Sequence, residues 1–240
     1  AATVTPLSNC GSIASYPGGE EGACDRETAR LRDSMAARIN PGRHVESPTG
    51  VGFCMFVRRA CLDQVGGFDE SLFGRGYGEE NDFCLRASAH GWTHLIAGDV
   101  YVLHRNGVSF GSTRNGWMER NEAVLAARHP SYAASVTAFH EAQPVAPLRR
   151  QLDIALLRED SRPVVLLVSL ALPGGVQKHV DARMAMLEQQ GYLPVLLRPG
   201  AESRDARFSV AHCADFQDLL FRFADEAEAF RDLLDCLPIE

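Results

Sequence analysis

A glycine-rich segment leads straight into an acidic helix start at residues 74–86, and this junction constrains the fold of the 240-residue chain most strongly. Glycines at 74, 76 and 78 precede Glu79, Glu80 and Asp82. Free N–H groups and the helix dipole favour carboxylates at a helix N-terminus, so the sequence predicts a helix from Glu79 to His90. These acids either only charge the first turn or hold a general base at the mouth of a site.

Apolar runs alternate with helical patterns along the first 142 residues, which indicates an α/β protein. The run Val51–Val57 predicts a buried strand, and Asp25 is placed to cap a helix that ends near Arg38 with Leu31 and Met35 on one face. The remaining predicted elements are a helix at Arg59–Val65, short strands at Trp92–Ile96 and Val100–Leu103 separated by a turn at Gly98-Asp99, and a helix at Trp117–Arg128.

The composition changes between residues 143 and 162, where prolines and charges indicate a linker with a short helix at 148–157. A strand at Val164–Val168, a glycine loop, a helix and a strand at Val195–Leu197 then predict a strand–helix–strand unit of the doubly wound type. A further helical stretch covers residues 216–237. We therefore expect domains at 1–142 and 163–240, the second of them truncated because a doubly wound sheet needs more strands.

The overall charge and the cysteines exclude some classes of protein. A formal net charge of −7 argues against nucleic acid as the main partner, because phosphate binding needs a basic face. The seven cysteines form no C-x-x-C pair, which favours reduced thiols in a cytoplasmic protein over a structural zinc site. No run approaches the ~18 apolar residues of a membrane span. The chain begins without methionine, as expected of a fragment or a processed protein.

Several segments in series resemble the acceptor-side half of the inverting family 2 glycosyltransferases, which have the GT-A fold. The resemblance covers about residues 1–112 and is carried by residues 4–9, 52–59, 65–70 and 76–86 and by His104. It implies that Glu80, where the family has Asp, is the catalytic base, with Glu79 before it. It further implies that His104 binds the divalent metal, Mg²⁺ or Mn²⁺, or the donor diphosphate.

Other residues are expected to bind substrate through their own chemistry. Gly50 and Gly52 let a sugar approach the backbone, Trp92 can stack on a sugar ring, Arg58 can pair with phosphate, and Asp82 supports either the acceptor site or the helix. Other interpretations stay open: strand-edge geometry for the glycines, core packing for Trp92 and a backbone-bonded strand end for His104. His90 and His94 are expected to face solvent or to cap structure.

The Asp-x-Asp metal motif of that family does not occur in the 240 residues. In the family it lies upstream, in the half that binds the sugar nucleotide. We therefore expect a fragment that is inactive alone, from a bacterial, multidomain, metal-dependent enzyme of polysaccharide biosynthesis. Its partners would be a nucleotide-sugar donor and a glycan acceptor, and its location cytoplasmic or at the inner face of the membrane. A second copy of the chain would cover an exposed sheet edge, so a homodimer is expected as one solution.

The glycine loop of the second domain, Gly174 and Gly175, resembles the first glycine loop of the family 4 glycosyltransferases, which have the GT-B fold. The expected fold class is therefore α/β, with a partial GT-A domain followed by a partial Rossmann-like unit. The resemblance implies that these glycines lie near a cleft, where the helix N-terminus can meet a phosphate.

Two rival functions remain on the sequence alone. One is a non-catalytic carbohydrate-binding or scaffolding module derived from a glycosyltransferase, which the missing Asp-x-Asp favours. The other is an α/β hydrolase, because residues 107–111 match G-x-S-x-G, although no helix pattern follows as a nucleophile elbow requires.

Overall fold

The computed structural model describes residues 1–18, 24–74, 77–105, 114–170, 174–200, 204–210 and 218–239, with the backbone alone at 114, 115 and 117. The described chain is α/β, as predicted, and divides into two compact units, Ala1–Leu148 and Arg149–Glu240. The division falls within the segment expected to be a linker. That segment contains a helix, Ala146–Glu159, which is longer than the one predicted at 148–157.

The first unit contains a four-stranded sheet with helices around it. Its strands are β1 (Thr3–Leu7), β2 (His44–Ser47), β3 (Phe56–Val57) and β4 (His94–Tyr101), and a 3-10 turn covers Ser12–Ala14. Its helices are α1 (Arg26–Ile39), α2 (Arg59–Val65), α3 (Glu70–Phe73), α4 (Glu79–Ala89), α5 (Arg114–Arg128), α6 (Tyr132–Ala142) and the start of α7 (Ala146–Glu159). Asp25 caps α1 as predicted, its side chain accepting from the Thr28 amide.

The strand order in this sheet is β2-β4-β1-β3, and only β1 and β4 run parallel. The carboxyl ends of these two strands therefore lie at one edge of the sheet. Loops that leave this edge are the usual place for a ligand site in α/β proteins.

Two strand predictions for this unit were wrong. The run Val51–Val57 is a strand only at Phe56–Val57, and Phe56 is 67% exposed, because the chain turns at residues 52–54. The two strands expected at Trp92–Ile96 and Val100–Leu103 are the single strand β4. Where Gly98-Asp99 predicted a turn, β4 is continuous, and the pairing of β1 with β4 shifts in register between Pro6 and Leu7.

Two side-chain orientations also differ from prediction. His94 is 1% exposed rather than solvent-facing. Its Nε2–H donates to the Cys84 carbonyl at 2.9 Å and its Nδ1 bonds the Thr3 hydroxyl at 2.8 Å, so it joins β4 to α4 and β1. Burial lowers the pKa of His94. Leu31 on α1 is 48% exposed, while Met35 is buried.

The second unit contains the predicted strand–helix–strand unit: β5 (Val164–Val168), α8 (Gly175–Gln189) and β6 (Leu193–Pro199), with β5 and β6 parallel. Two antiparallel strands, β7 (Asp205–Val210) and β8 (Leu220–Arg222), extend the sheet in the order β5-β6-β7-β8. The sequence prediction missed both strands. Helix α9 (Phe223–Cys236) is shorter than the helical stretch expected at 216–237 because β8 occupies its beginning.

Candidate functional site

The candidate site forms where α4 begins, at a backbone turn that only glycine fits well. Gly78 caps the helix at φ 107°. A side chain added there would also press on the Phe73 ring, since its Cβ would lie 3.2 Å from that ring. Tyr77 before it has φ 68°. Two successive residues at positive φ turn the chain sharply, so the helix starts with its N-terminal carboxylates beside other loops.

Glu79 and Glu80 are half-buried carboxylates in the first turn of α4. Burial raises the pKa of Glu80, and the adjacent Glu79 charge raises it further, although the Gly78 amide donates to Oε2 at 3.2 Å. Burial also raises the pKa of Glu79. The buried Oε2 of Glu79 has no hydrogen-bond partner among the described residues. The pair is therefore better suited to accept a proton than an exposed carboxylate is.

The loop at residues 49–52 packs against α4 on one side of the Glu79–Glu80 pair. The Val51 amide donates to the Thr5 hydroxyl of β1 at 3.0 Å, and the Gly50 amide donates to the Cys84 sulfur at 3.2 Å. Thr49 bonds the Asn81 side chain at 2.9 Å. The predicted residue Gly52 comes next to the base, since a Cβ there would lie 3.4 Å from the Glu80 carboxyl carbon.

Gly50 has a packing role in this loop. Any side chain at Gly50 would overlap Met55. A Cβ there would also lie 3.1 Å from the Thr3 hydroxyl of β1, so Gly50 packs the loop against the sheet, whereas Gly52 borders the Glu80 carboxyl.

His104 lies just after β4, at the carboxyl edge of the sheet. Its Nδ1 donates to the Cys10 carbonyl at 2.7 Å, because a carbonyl oxygen can only accept. Asn9 accepts from the His104 amide at 2.9 Å and donates to its carbonyl at 3.0 Å. The neutral ring then has its lone pair on Nε2, the arrangement in which histidine typically binds a metal or accepts a hydrogen bond.

Phe53 connects the histidine with the carboxylates, and the sequence prediction missed this role. Its ring stacks on the His104 ring with centroids 5.1 Å apart and planes at 18°. Its neighbour Gly52 borders Glu80. One loop therefore contacts both His104 and Glu80, and the structure brings these two predicted site residues to the same loop. An aromatic residue next to a glycine was the only sequence signal for this connection.

The described residues do not by themselves fit a metal ion. Within those ranges no group of three or more His, Cys, Asp or Glu side chains is placed to hold one. His104 offers a single imidazole, and divalent Mg²⁺ or Mn²⁺ needs several oxygen ligands.

Asp82 is turned into the protein rather than toward the other two acids. Its side chain is fully buried, and its oxygens bond Arg86 Nε at 2.7 Å, His129 Nε2 at 2.9 Å and Arg128 Nε at 3.3 Å. These partners occupy the carboxylate, so Asp82 supports the helix. This was one of the two roles expected for it.

Arg58 and Trp92 lie together at the far end of α4. The Arg58 guanidinium is 5.9 Å from the centre of the Trp92 ring, and the indole N–H donates to Gln64 at 2.9 Å. Trp92 follows the C-terminus of a helix of 11 residues, which is about 16 Å long. The structure therefore does not bring Arg58 or Trp92 together with Glu80.

A tyrosine that the sequence prediction did not select is within electrostatic reach of Glu80. Burial raises the pKa of Tyr132 to about 12, and the charge of Glu80 contributes to the rise. Tyr132 is the first residue of α6, more than 50 positions after Glu80. No local pattern relates the two residues, because the two helices are linked only through the pairing of Asp82 on α4 with Arg128 and His129, which precede α6.

In the second unit, α8 begins at Gly175, and Gly174 before it has φ 101°. The carboxyl ends of β5 and β6 border a mostly apolar cavity of about 410 Å³. Its lining includes Leu170, Arg198, Asp205 and Phe223. The proposed hydrolase serine, Ser109, and its flanking glycines lie outside the described residues.

Two curated proteins match part of the chain, both named N-acetylglucosaminyl-diphospho-decaprenol L-rhamnosyltransferase, from Mycobacterium tuberculosis strains CDC 1551 / Oshkosh and ATCC 25618 / H37Rv. Each is 36% identical over 115 residues. The matched part of the chain is related to a glycosyltransferase. The match covers 47% of this chain and 33% of each relative, so the chain spans about one third of the length of the relatives. No family model and no solved structure matches the chain.

Among the helices of the described ranges, none is both long enough and apolar enough to cross a bilayer.

Proposed function

We propose that the chain is part of a glycosyltransferase that transfers a sugar from a nucleotide-sugar donor to a glycan hydroxyl, with Glu80 as the general base. The observation that supports this most directly is the half-buried Glu79–Glu80 pair at the start of α4, with the pKa of both carboxyls raised. A base of raised pKa removes a proton from a hydroxyl more effectively at neutral pH. The partial relationship to a rhamnosyltransferase agrees with this chemistry.

In the proposed reaction, the ionised Glu80 takes the proton of the acceptor hydroxyl while the hydroxyl oxygen attacks the anomeric carbon of the donor. The nucleoside diphosphate leaves from the opposite face, so the anomeric configuration inverts. Glu79 binds an acceptor hydroxyl through its unpartnered oxygen, and Gly52 leaves room for the sugar beside the base. We place the binding of the donor diphosphate on the His104 side of the same loop.

A transfer assay tests the base. The natural protein that carries this chain is incubated with nucleotide sugars and glycan acceptors, including an L-rhamnosyl donor and an acceptor ending in N-acetylglucosaminyl diphosphate. Glu80→Gln should lower kcat roughly 100- to 10,000-fold, the usual range for a general base. Glu80→Asp should retain measurable activity, since it keeps the carboxylate. NMR of the product anomeric proton should show inversion.

The matched control is Glu27→Gln, which removes an exposed glutamate from the first turn of α1. It should leave transfer unchanged. Unchanged kcat/KM in Glu80→Gln would rule out the assigned role.

A non-catalytic glycan-binding module is the second candidate, and the missing Asp-x-Asp supports it. Calorimetric titration of the chain with nucleoside diphosphates and with glycans, each with and without Mn²⁺, separates the two candidates. A module binds glycans only, and no nucleotide sugar is consumed by the protein that carries it. Nucleotide binding that requires Mn²⁺ and is lost in His104→Ala would indicate a donor site in this chain. That result would contradict the expectation that the chain alone is inactive.

A further inference from the structure

Two neighbouring side chains of α5 bond the end of α3. This helix ends at Phe73, and the last carbonyl groups of a helix have no partner within it. The Asn121 side chain donates to the Phe73 carbonyl at 2.8 Å. Its neighbour Arg120 donates to the Leu72 carbonyl at 3.2 Å and to the Asn121 side-chain oxygen at 2.9 Å. Because a guanidinium can only donate, this contact fixes which way the Asn121 amide faces.

The other end of α3 is bound to the same helix. Asp69 caps α3, and its Oδ1 accepts from the Leu72 amide at 3.2 Å. Its Oδ2 pairs with Arg128 of α5 at 3.0 Å. Asn121 and Arg128 are about two helical turns apart, so they lie on one face of α5. This face contacts both ends of α3 and holds the short helix in place.

Asn121 is buried for the hydrogen bond that it makes. Asn121 and Phe73 are both 0% exposed. A buried amide costs free energy unless it is hydrogen-bonded, and a leucine of similar volume would fill the same space. The bond to the Phe73 carbonyl is therefore what asparagine contributes at this position.

The Phe73 ring lies against the turn that starts α4. A Cβ at Gly78 would lie 3.2 Å from two atoms of the Phe73 ring and 3.8 Å from the Asn121 Cβ. The Gly78 backbone, in its left-handed conformation, therefore packs directly on these two side chains. From this position its amide donates to Oε2 of Glu80 at 3.2 Å. A continuous series of contacts thus joins Asn121 to the Glu80 carboxyl.

We propose that Asn121 is a positioning residue for Glu80. Its bond to the Phe73 carbonyl holds the Phe73 ring against Gly78, and Gly78 then directs its amide at Oε2 of Glu80. With Oε2 bound, the other oxygen, Oε1, lies toward Gly52, since a Cβ at Gly52 would be 3.6 Å from it. Oε1 therefore faces the space where the acceptor hydroxyl is proposed to bind. This role rests on the proposed function for its catalytic meaning.

The substitutions that test this role are neutral for neutral. The ionisable groups that act on Glu80 among the described residues are Glu79 and Cys84 of α4 and Tyr132 of α6. Residues 49–52, which pack on the other side, are Thr, Gly, Val and Gly and carry no charge. Asn121 and Phe73 are uncharged as well. A change in the Glu80 titration after replacing either one therefore reports geometry and not a lost charge.

Carbon-13 NMR of labelled glutamate carboxyls tests the role in the whole chain. In Asn121→Leu the Gly78 amide is no longer held toward Oε2. That hydrogen bond favours the ionised carboxyl, so the pKa of Glu80 should rise further, by roughly 0.5 to 1 unit. An unchanged Glu80 titration in folded Asn121→Leu would overturn the proposal.

The matched control is Asn40→Leu. Asn40 is also 0% exposed, and its side chain donates to the Gly98 carbonyl at 3.2 Å and to the Leu148 carbonyl at 3.1 Å. The control therefore removes a buried amide of the same kind that bonds backbone away from α4. It should lower stability to a similar extent and leave the Glu80 titration unchanged. An equal shift in Asn40→Leu would show that any buried amide of the unit acts on Glu80, which would also overturn the proposal.

Phe73→Leu decides the matter where Asn121→Leu fails to fold. It keeps the backbone carbonyl that Asn121 bonds and removes the ring that lies against Gly78. The pKa of Glu80 should again rise, and the double variant should shift it no further than the larger single shift, because both changes act through the same contact. An unchanged titration in Phe73→Leu, or shifts that simply add, would contradict the proposed series of contacts.

Transfer kinetics separate this inference from the proposed function. In Asn121→Leu the acidic limb of the kcat profile should move to higher pH, and kcat at neutral pH should fall roughly tenfold with little change in KM, since a displaced base loses alignment. Full transfer activity in Glu80→Gln would defeat the proposed function. Loss of transfer in Glu80→Gln, with a Glu80 titration that is the same in wild type and Asn121→Leu, would defeat the positioning role alone.

Discussion

At the scale of one residue, Glu79 places a carboxylate where folding disfavours its charge. Its carboxyl is half-buried, one of its oxygens lacks a partner in the described chain, and burial raises its pKa. An ordinary first-turn glutamate is exposed and stabilises its helix. The departure from that pattern is what a residue retained for chemistry is expected to show.

This arrangement predicts a stability that falls as pH rises. A carboxyl with a raised pKa binds its proton more tightly in the folded chain than in the unfolded one. The free energy of unfolding therefore decreases as the pH rises from the ordinary glutamate pKa of 4.5 through the raised pKa of Glu79. It stays lower at higher pH. Glu79→Gln should stabilise the chain at about pH 8 and have little effect at about pH 4.

Urea denaturation at both pH values measures this effect. Glu27→Gln is the exposed first-turn control and should show no such pH dependence. Equal stability of wild type and Glu79→Gln at high pH would show that the Glu79 charge is not penalised in the folded chain.

At the scale of an element, α4 divides its acids between two tasks. Glu79 and Glu80 line the candidate site, whereas Asp82, further into the helix, points inward and pairs with Arg86, Arg128 and His129. The sequence predicted the helix and its acidic start, since both follow from local caps and spacing. It could not separate the roles of the acids, because two of the three partners of Asp82, Arg128 and His129, come from α5 and the turn after it.

Asp82→Asn should therefore destabilise the first unit. The substitution removes the buried carboxylate that Arg86, Arg128 and His129 share. These partners are partly exposed, so we expect a loss at the lower end of the range for a buried pair, about 3 kcal/mol. Urea denaturation followed by circular dichroism measures the loss. Glu122→Gln, an exposed acid on α5, is the control and should change stability little. Asp82→Asn with wild-type stability would mean that the ion pairs do not anchor the turn.

At the scale of the whole molecule, two hydrophobic cores among the described residues share no residue. One gathers Phe83, Cys84 and Ala87 of α4 with Ala2 and Cys61, and the other gathers residues of β5 to β8 with α7 and α9. In the second core Phe208 is fully buried and packs on Phe221 and Phe230. Each unit thus has its own source of hydrophobic stability.

Phe208→Ala should destabilise the second unit by about 3 to 5 kcal/mol through the cavity that it leaves. Hydrogen exchange should accelerate at β6 and β7 while β1 and β4 keep their protection, because the altered core contains no residue of the first sheet. Leu170→Ala, at a position 61% exposed, is the control. Loss of protection in β1 and β4 would show that the two units unfold together.

What the sequence predicted at this scale follows from local signals. The β5–α8–β6 unit could be predicted because an apolar run, a glycine loop and a helical pattern stand in order. Strand β7 was missed although its residues alternate between buried and less buried positions, the signal expected of a strand. The burial of His94 and the pairing of Asp82 with Arg128 and His129 depend on contacts between distant segments, which spacing along one chain does not encode.

The division of labour on α4 also bears on how sequences of this kind diverge. Residues that serve only the reaction are released when a lineage loses that reaction, while residues that hold the fold stay under selection. A descendant that kept this fold as a binding module would be expected to vary at Glu79 and Glu80 but to retain Asp82. The pattern of substitution across three neighbouring positions would then record whether the ancestral chemistry has survived.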